Sequence, residues 1–477
     1  MNSSLQTKST DIQSPAGATF DRLKAAYRRQ PYITLEERTD TLMKIEQILT
    51  RNEQAICDAI CTDFGNRSFH ESRILEIATS ILGLRDARKH LKKWMKTQKR
   101  HVSMIFMGGK NRVIPQAKGV IGIIAPWNYP LFLVMSPLTS AIAAGNRVMI
   151  KMAGNSQNLC SLLQKKFSEM ISEDIITFMP GVGASEFSTL PFNHLIFTGS
   201  PGVGKTIMQS AAKHLTPVTL ELGGKSPTIL LDDFDVKVAA NRIMAAKLMN
   251  GGQTCVAPDY LFVPENKLKA FIDQAKSFTA NLYSDILTKD YTAIIDSRAY
   301  ARLMDTIADA REKGAHVIQL ISGDAGDENT RKISPVILTD VSSDMEVMQN
   351  EIFGPVLPIM TYRKIDEVID YINDHERPLA LYLFTHKAQD QDHIVTHTLS
   401  GGVTVNDCAM HVAQHDIPFG GIGNSGMGQY HGYEGFMEFS KLRPVFKQSK
   451  WPVAVTPPYG KTFDWIYNSI LKFKWLK

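Results

Sequence analysis

At 477 residues, 44% hydrophobic and 21% charged, the chain is long enough for two or three soluble globular domains. Its formal charge of +5 is small for this length, so it argues neither for a nucleic-acid partner nor against an anionic ligand such as a dinucleotide, and no nucleic-acid partner is expected. Five cysteines, an odd and sparse number, and no basic segment leading into an apolar stretch at the start argue against a secreted disulfide framework and for reduced thiols in a cytoplasm.

Residues 1–17 are polar and are expected to fray. From Leu35 to Phe64 and from Glu71 to Trp94, apolar residues recur at three and four positions (Leu42, Ile45, Leu49; Ile74, Ile77, Ile81), which predicts two long amphipathic helices. Cys57 and Cys61 stand one helical turn apart, and with no second pair at ligand spacing they read as core and not as metal ligands. Lysines and arginines crowd Arg85 to Arg100, but only Trp94 is interleaved for base stacking, so they read as a solvated helix face. Residues 119–145 hold no charge over 27 positions and imitate a membrane span. Pro126, Pro130 and Pro137 break that reading, because an interior proline costs a helix about 3 kcal/mol or more. A buried strand over 120–125, a loop and a short buried helix fit better.

Short apolar runs follow at 148–151, 175–179, 195–198 and 218–220, separated by stretches of helix length. Strand alternating with helix predicts a parallel sheet covered on both faces, with ligands bound beyond the carboxyl ends of its strands. Asn128, Lys151 and Ser200 each fall just past such a strand. A second series from about Thr228 to Asp407 predicts a second α/β domain, with Glu221 at the junction and Cys255 facing the cleft.

Cys255 closes Asn250-Gly-Gly-Gln-Thr-Cys255 and follows Glu221 of Glu221-Leu-Gly-Gly-Lys225 by 34 positions. A thiol near its free pKa of about 8.5 is only a few per cent thiolate at pH 7, so a catalytic cysteine needs an activating environment or a base, and a carboxylate can be that base. A competing motif lies between the strands: Gly199-Ser-Pro-Gly-Val-Gly204-Lys205-Thr206 fits the phosphate-loop pattern, and Asp232-Asp233 resembles an acidic magnesium strand. Read alone, these residues suggest a nucleotide triphosphatase. Only 27 positions separate Lys205 from Asp232, however, and that interval already holds a helix, Glu221 and a Gly-Gly loop. Backbone amides at a helix amino terminus suit a dinucleotide pyrophosphate equally well.

Taken in order, Ala125-Pro-Trp-Asn128-Tyr-Pro130, Phe197-Thr-Gly199-Ser200, Glu221-Leu-Gly-Gly224, Asn250-Gly-Gly-Gln-Thr-Cys255 and Glu351-Ile-Phe353-Gly-Pro355 resemble the aldehyde dehydrogenase superfamily over nearly the whole chain. Pro418-Phe-Gly-Gly-Ile-Gly-Asn-Ser-Gly-Met-Gly-Gln-Tyr-His431-Gly is similar to the class 3 branch and, within it, to coniferyl aldehyde dehydrogenases. The resemblance implies an α/β fold. A Rossmann-like NAD(P)-binding domain would take residues 1–98 and 119–222, a catalytic domain 223–410, and a small oligomerisation element with the C-terminal tail 99–118 and 430–477. It implies that Cys255 attacks the aldehyde, that the Asn128 amide and the Cys255 backbone N–H hold the oxyanion, and that Glu221 activates water against the thioester. The cleft and cofactor are expected to lower the thiol pKa. Lys151 would hold the adenosine ribose and Ser200 the pyrophosphate, while Gly199 and Gly204 allow close approach. Glu351 would hold the nicotinamide ribose, with Phe353 near the ring and Trp127 lining the pyrophosphate loop.

One departure bears on the cofactor. Where many members carry Lys-Pro-Ser-Glu, this chain reads Lys151-Met152-Ala153-Gly154, lacking the carboxylate that favours a ribose 2′-hydroxyl and repels a 2′-phosphate. NADP is therefore expected to be accepted alongside NAD. The tail from Phe463 to Lys477 is aromatic and basic and predicts an amphipathic helix, docked on the partner of a homodimer in preference to a membrane surface. The remaining alternatives are the triphosphatase, a catalytically silent relative, and a coenzyme-A-acylating enzyme, against which the hydrolytic base Glu221 argues.

Overall fold

Ser14 marks the start of the first helix: its hydroxyl accepts the Gly17 amide at 3.2 Å and Pro15 takes the first helical position of Pro15–Arg29. The structure, a computed structural model, describes residues 14–103, 106, 108–450, 457 and 459–472. Ser14 and residues 15–17, expected to fray, are thus an ordered cap and helix, and the expectation for residues 1–13 lies outside the described residues. The helix expected over 35–64 begins with a capping box between Thr34 and Glu37 and breaks at Asn52, giving Leu35–Arg51 and Glu53–Phe64. Asn52 turns its amide back onto the Ile48 carbonyl at 2.8 Å, a local bond that competes with helix continuation. The next helix is regular only over Thr79–Trp94, and Ser72–Ala78 is a π-helical turn. Such widened turns re-aim side chains; here the buried group is Glu76, which is fully inaccessible. Among the basic residues after it, Arg85 and Arg88 both pair with Glu46, at 2.7 and 2.6 Å.

The uncharged stretch 119–145 forms the buried strand Val120–Ala125, a loop, and the buried helix Phe132–Ala143, with Pro137 inside it. Among the described residues, no helix is long and apolar enough to cross a membrane, and no cluster of metal-ligating side chains occurs. Val120–Ala125 pairs in parallel with Arg147–Met152 on one side and His194–Gly199 on the other. Ile176–Phe178 extends the sheet beyond the former, and Val218–Leu222 beyond the latter. Strand order therefore reverses beside Val120–Ala125, which opens a crevice at the carboxyl ends of that strand and of His194–Gly199.

A seven-stranded sheet, parallel but for His316–Gln319, forms the second lobe around Pro227–Leu230 and Tyr260–Pro264. From beyond it the chain returns to the first: Gly426–Met427 adds an antiparallel edge to Val218–Leu222, with Gly426 opposite Glu221. Ser440–Lys447 likewise pairs with Lys110–Ala117, and Gln98–Arg100 completes a separate three-stranded sheet. One apolar cluster runs through both lobes, from Leu42, Ile123 and Leu138 to Leu261 and Phe384. Beyond the last strand, Lys461–Lys472 forms the expected amphipathic helix, on which Trp465, Tyr467 and Leu471 are exposed. The expected continuation to Lys477 lies outside the described residues.

Candidate active site

The loop after Val120–Ala125 rests on a buried ion pair. Arg67 donates through Nη1 to Glu76 at 2.8 Å and to the Asn128 carbonyl at 2.7 Å, with both charged side chains wholly inaccessible. The second Glu76 oxygen accepts the amides of Leu131 and Phe132 at 2.9 and 2.8 Å, where a carboxylate suits the helix amino terminus. The Arg67 guanidinium lies between the rings of Phe64 and Tyr129, 5.0 and 4.8 Å from their centroids.

Asn128 faces a second knot of hydrogen bonds, formed by the segment that carries Cys255. The Asn128 amide donates to the Gln253 carbonyl at 3.1 Å, and the Asn250 amide donates to that carbonyl and to the Asn128 carbonyl, at 3.1 and 2.9 Å. Gln253 is fully buried, and its side chain bonds Asn250, Ala293 and Ile295. The turn needs left-handed backbone at Asn250 (φ 54°), Gly251 (62°) and Gly252 (80°), and a Cβ on Gly252 would run into the Gly354 carbonyl. Cys255 emerges from this turn partly buried.

A cavity of about 220 Å³ at the switch point gathers Trp127, Asn128, Gly199, Ser200, Glu221, Cys255, Glu351 and Phe353. Glu221 is 2% exposed and neither carboxyl oxygen has a partner, so burial pushes its pKa well above the usual range. Cys255 is also shifted upward, to about 12, by burial first and then by Glu351 and Glu221. The cleft's own residues thus raise the thiol pKa, whereas the expected lowering is for cleft and cofactor together. Glu351 is raised to about 8 by burial and Asp259, against the opposing Gly224 amide, Lys225 and Arg302. Phe353, at φ 50°, sets its ring edge-on to Trp127 at 5.5 Å.

Lys151 and Gly204 lie away from this cavity. Lys151, expected just past its strand, lies inside it one residue before the end, 9% exposed, and burial lowers the pKa of its side chain. Gly204 sits inside the helix Pro201–Ala212, where a Cβ would meet Leu222 at 2.8 Å. Its lack of a side chain therefore serves helix-to-strand packing. The same helix overturns the phosphate-loop reading: residues 201–206 are helical and form no loop, while Asp233 bonds Thr385 and His386 at the second sheet.

The crevice fits a dinucleotide. Ser200 caps the helix amino terminus without a side-chain bond to its amides, and Gly199 is excluded from bearing a Cβ by the Phe197 ring at 2.5 Å. The unpartnered Glu221 carboxyl lies in the same cavity. On its other side Cys255 borders an apolar cavity of about 120 Å³, walled by Leu75, Tyr129, Phe132, Val412 and Phe419. Arg67, Glu76 and Gln253 escaped the sequence reading. For Glu76 a signal was present, a lone charge in the apolar run Ile74-Leu75-Glu76-Ile77-Ala78.

Two wound lobes, a dinucleotide crevice at a switch point, and a thiol with a polar cavity on one side and an apolar one on the other define an oxidoreductase acting on a carbonyl substrate. The chain belongs to the aldehyde dehydrogenase family, whose profile matches residues 10–445, and it oxidises aldehydes with a nicotinamide cofactor. It is 45% identical over 453 residues to a Pseudomonas aeruginosa protein named "Probable coniferyl aldehyde dehydrogenase", covering 94% of each chain. The solved substrate-bound AldH of Staphylococcus aureus superposes with a TM-score of 0.89 at 34% identity, covering 95% of this chain and 99% of that one. An NAD+ complex of a Bacillus cereus aldehyde dehydrogenase gives a TM-score of 0.83 at 25% identity, with 91% and 89% covered.

Proposed function

We propose that the enzyme oxidises aromatic aldehydes of the coniferyl type, or medium- to long-chain aldehydes, to carboxylic acids, with NAD or NADP, through a covalent intermediate on Cys255. The observation that carries this is the position of Cys255 between the polar cavity of Glu221 and Asn128 and the apolar one. The Cys255 thiol releases its proton to solvent, the thiolate sulfur adds to the carbonyl carbon, and the oxyanion takes hydrogen bonds from the Asn128 amide and the Cys255 backbone N–H. The nicotinamide, when bound, supplies the hydride acceptor and a positive charge that opposes the effect of Glu351 and Glu221 on the thiol. Loss of hydride leaves a thioester on Cys255. Glu221 takes a proton from water, the hydroxyl adds to the thioester carbon, and the C–S bond breaks to release acid and thiol. A buried carboxyl with a raised pKa is a stronger base once ionised.

Lys151 would hold the adenosine ribose and Glu351 the nicotinamide ribose. Acceptance of NADP draws support from Gly154, where a Cβ would meet nothing within 4 Å, so neither charge nor bulk opposes a 2′-phosphate. The name of the Pseudomonas aeruginosa relative and the aromatic walls Tyr129, Phe132 and Phe419 support an aromatic substrate. We assign the enzyme to the cytoplasm as a homodimer, the tail helix covering the partner, with 99–118 and 430–477 as the oligomerisation element. The test is NADH formation over a panel of aromatic and aliphatic aldehydes, with Cys255→Ala as control. Turnover is expected with aromatic members and none with the variant, and no aldehyde-dependent signal from any member would sink the reading.

A further inference from the structure

Beside the apolar cavity lies a small third one of about 20 Å³, room for a single water or hydroxyl group. The two share Thr79 and Phe132 as a common wall, and the small one sets the polar side chains of Ser136, Ser140 and His431 among apolar neighbours such as Ala87 and Trp94. His431 is 3% exposed, and neither ring nitrogen has a hydrogen-bond partner. Leaving such a group unpaired costs about 1–3 kcal/mol. Its backbone, at φ 83° and ψ 145°, lies in a region almost reserved for glycine, which costs roughly another 1–3 kcal/mol. Two unfavourable features thus meet in one residue next to the substrate cavity.

The ring itself is held firmly. It stacks on Phe419 at 5.3 Å with 20° between planes and meets Phe132 at 6.0 Å, and both of these rings also wall the apolar cavity. Burial, with His415 and His411 nearby, lowers its pKa to about 3 and keeps the imidazole neutral. A neutral imidazole offers one donor and one acceptor, and a hydroxyl can meet whichever nitrogen faces it.

We propose that His431 and the chamber behind Phe132 form a distal subsite that recognises a hydroxyl at the far end of a flat, conjugated aldehyde whose carbonyl carbon meets Cys255. This rests on the aromatic reading of the substrate above. The chamber admits a hydroxyl and excludes a methoxy group at the same position, so the discrimination has two sides.

The experiment compares kcat/KM of the cofactor-saturated enzyme for 4-hydroxycinnamaldehyde, cinnamaldehyde and 4-methoxycinnamaldehyde, in wild type and in His431→Phe. A buried hydrogen bond of about 1.4 kcal/mol corresponds to a tenfold preference for the hydroxylated substrate in wild type. In His431→Phe the ratio is expected to fall to about one. His431→Gly, which tolerates positive φ and carries no hydrogen-bonding side chain, gives the same comparison if the phenylalanine variant fails to fold. A loss of folding or positioning alone lowers all three substrates together and leaves the ratio in place. A wild-type ratio within about twofold of one, or a ratio retained by the variants, overturns the subsite while leaving the aromatic reading intact. Turnover of hexanal with none of the three cinnamaldehydes overturns both.

Discussion

Replacing Asn128 with alanine separates the chemistry of this residue from its structural part. Its amide makes one hydrogen bond among the described residues, to the Gln253 carbonyl at 3.1 Å. That carbonyl keeps a second donor, the Asn250 amide at 3.1 Å, so no buried acceptor is orphaned and the structural cost is about 1 kcal/mol. The loop backbone is held independently, since the Asn128 carbonyl accepts from Arg67 at 2.7 Å and Asn250 at 2.9 Å, whatever the side chain. Removing one oxyanion donor costs about 2.7–4 kcal/mol of transition-state stabilisation, or roughly 100- to 1000-fold in kcat. Steady-state kinetics and a stopped-flow NADH trace should therefore show a slow first turnover without a burst, a nearly unchanged KM, and a thermal midpoint within a few degrees of wild type. A fall in kcat of less than about tenfold would refute the role of the amide. So would a loss of activity that tracks a collapse in stability, because the bonds around Asn128 would then matter more than the donor.

Glu221→Gln should release about one NADH per active site and then stall, with steady-state turnover down by about 100-fold or more. Burial raises the Glu221 pKa, so its basic form grows as pH rises through that raised value, and a thioester-hydrolysis rate that climbs with pH in wild type should be flat in the variant. The folded state holds this proton more tightly than the unfolded chain. Its stabilising contribution is therefore full below the ordinary value of 4.5 and lost as pH rises through the folded one, so Glu221→Gln should flatten stability against pH across that window. Arg67→Met leaves Glu76 buried and unpaired, at a cost of about 3–5 kcal/mol that a shortened thermal-inactivation half-life would register. Gly154→Glu should lower kcat/KM for NADP at least about tenfold relative to NAD, whereas a wild-type NADP efficiency more than about a thousandfold below NAD, some 4 kcal/mol, would show that the open space there is irrelevant. Full-length enzyme and a chain ending at Tyr459 should both stay in the supernatant with anionic vesicles, and tail-dependent pelleting would favour a membrane surface over the partner subunit.

What the sequence made legible was set by local rules. The five parallel strands of the first sheet follow from short, largely apolar runs, because a strand buried on both faces has no polar side to show. Asn128, Glu221, Cys255, Glu351 and Phe353 were legible through their motifs, and the structure brings them to one cavity. The π-helical turn was not, since apolar spacing hardly distinguishes one extra residue in a turn. Nor was the Arg67–Glu76 pair, whose partners come from separate elements and acquire meaning only against Asn128. The phosphate-loop pattern misled because its letters specify a loop only if the backbone leaves helical geometry, and Pro201 starts the helix too early for that. The upward push on the thiol was not legible either, because residue types do not reveal how deeply the group is buried or that Glu351 lies near it.

The antiparallel contact of Gly426–Met427 with Val218–Leu222 bears on how the enzyme is made. The proposed base, Glu221, sits on a strand whose outer neighbour is synthesised some 200 residues later, after the whole second lobe. While a nascent chain lacks residues 425–427, that strand is a bare edge, open to wrong pairing. The Leu222 amide, which ends up on the Ser425 carbonyl at 3.0 Å, then has no acceptor there. Activity therefore arrives late and all at once in synthesis: a fragment that stops after Cys255 carries every acid, thiol and amide of the proposed chemistry yet lacks the segment that fixes them in place.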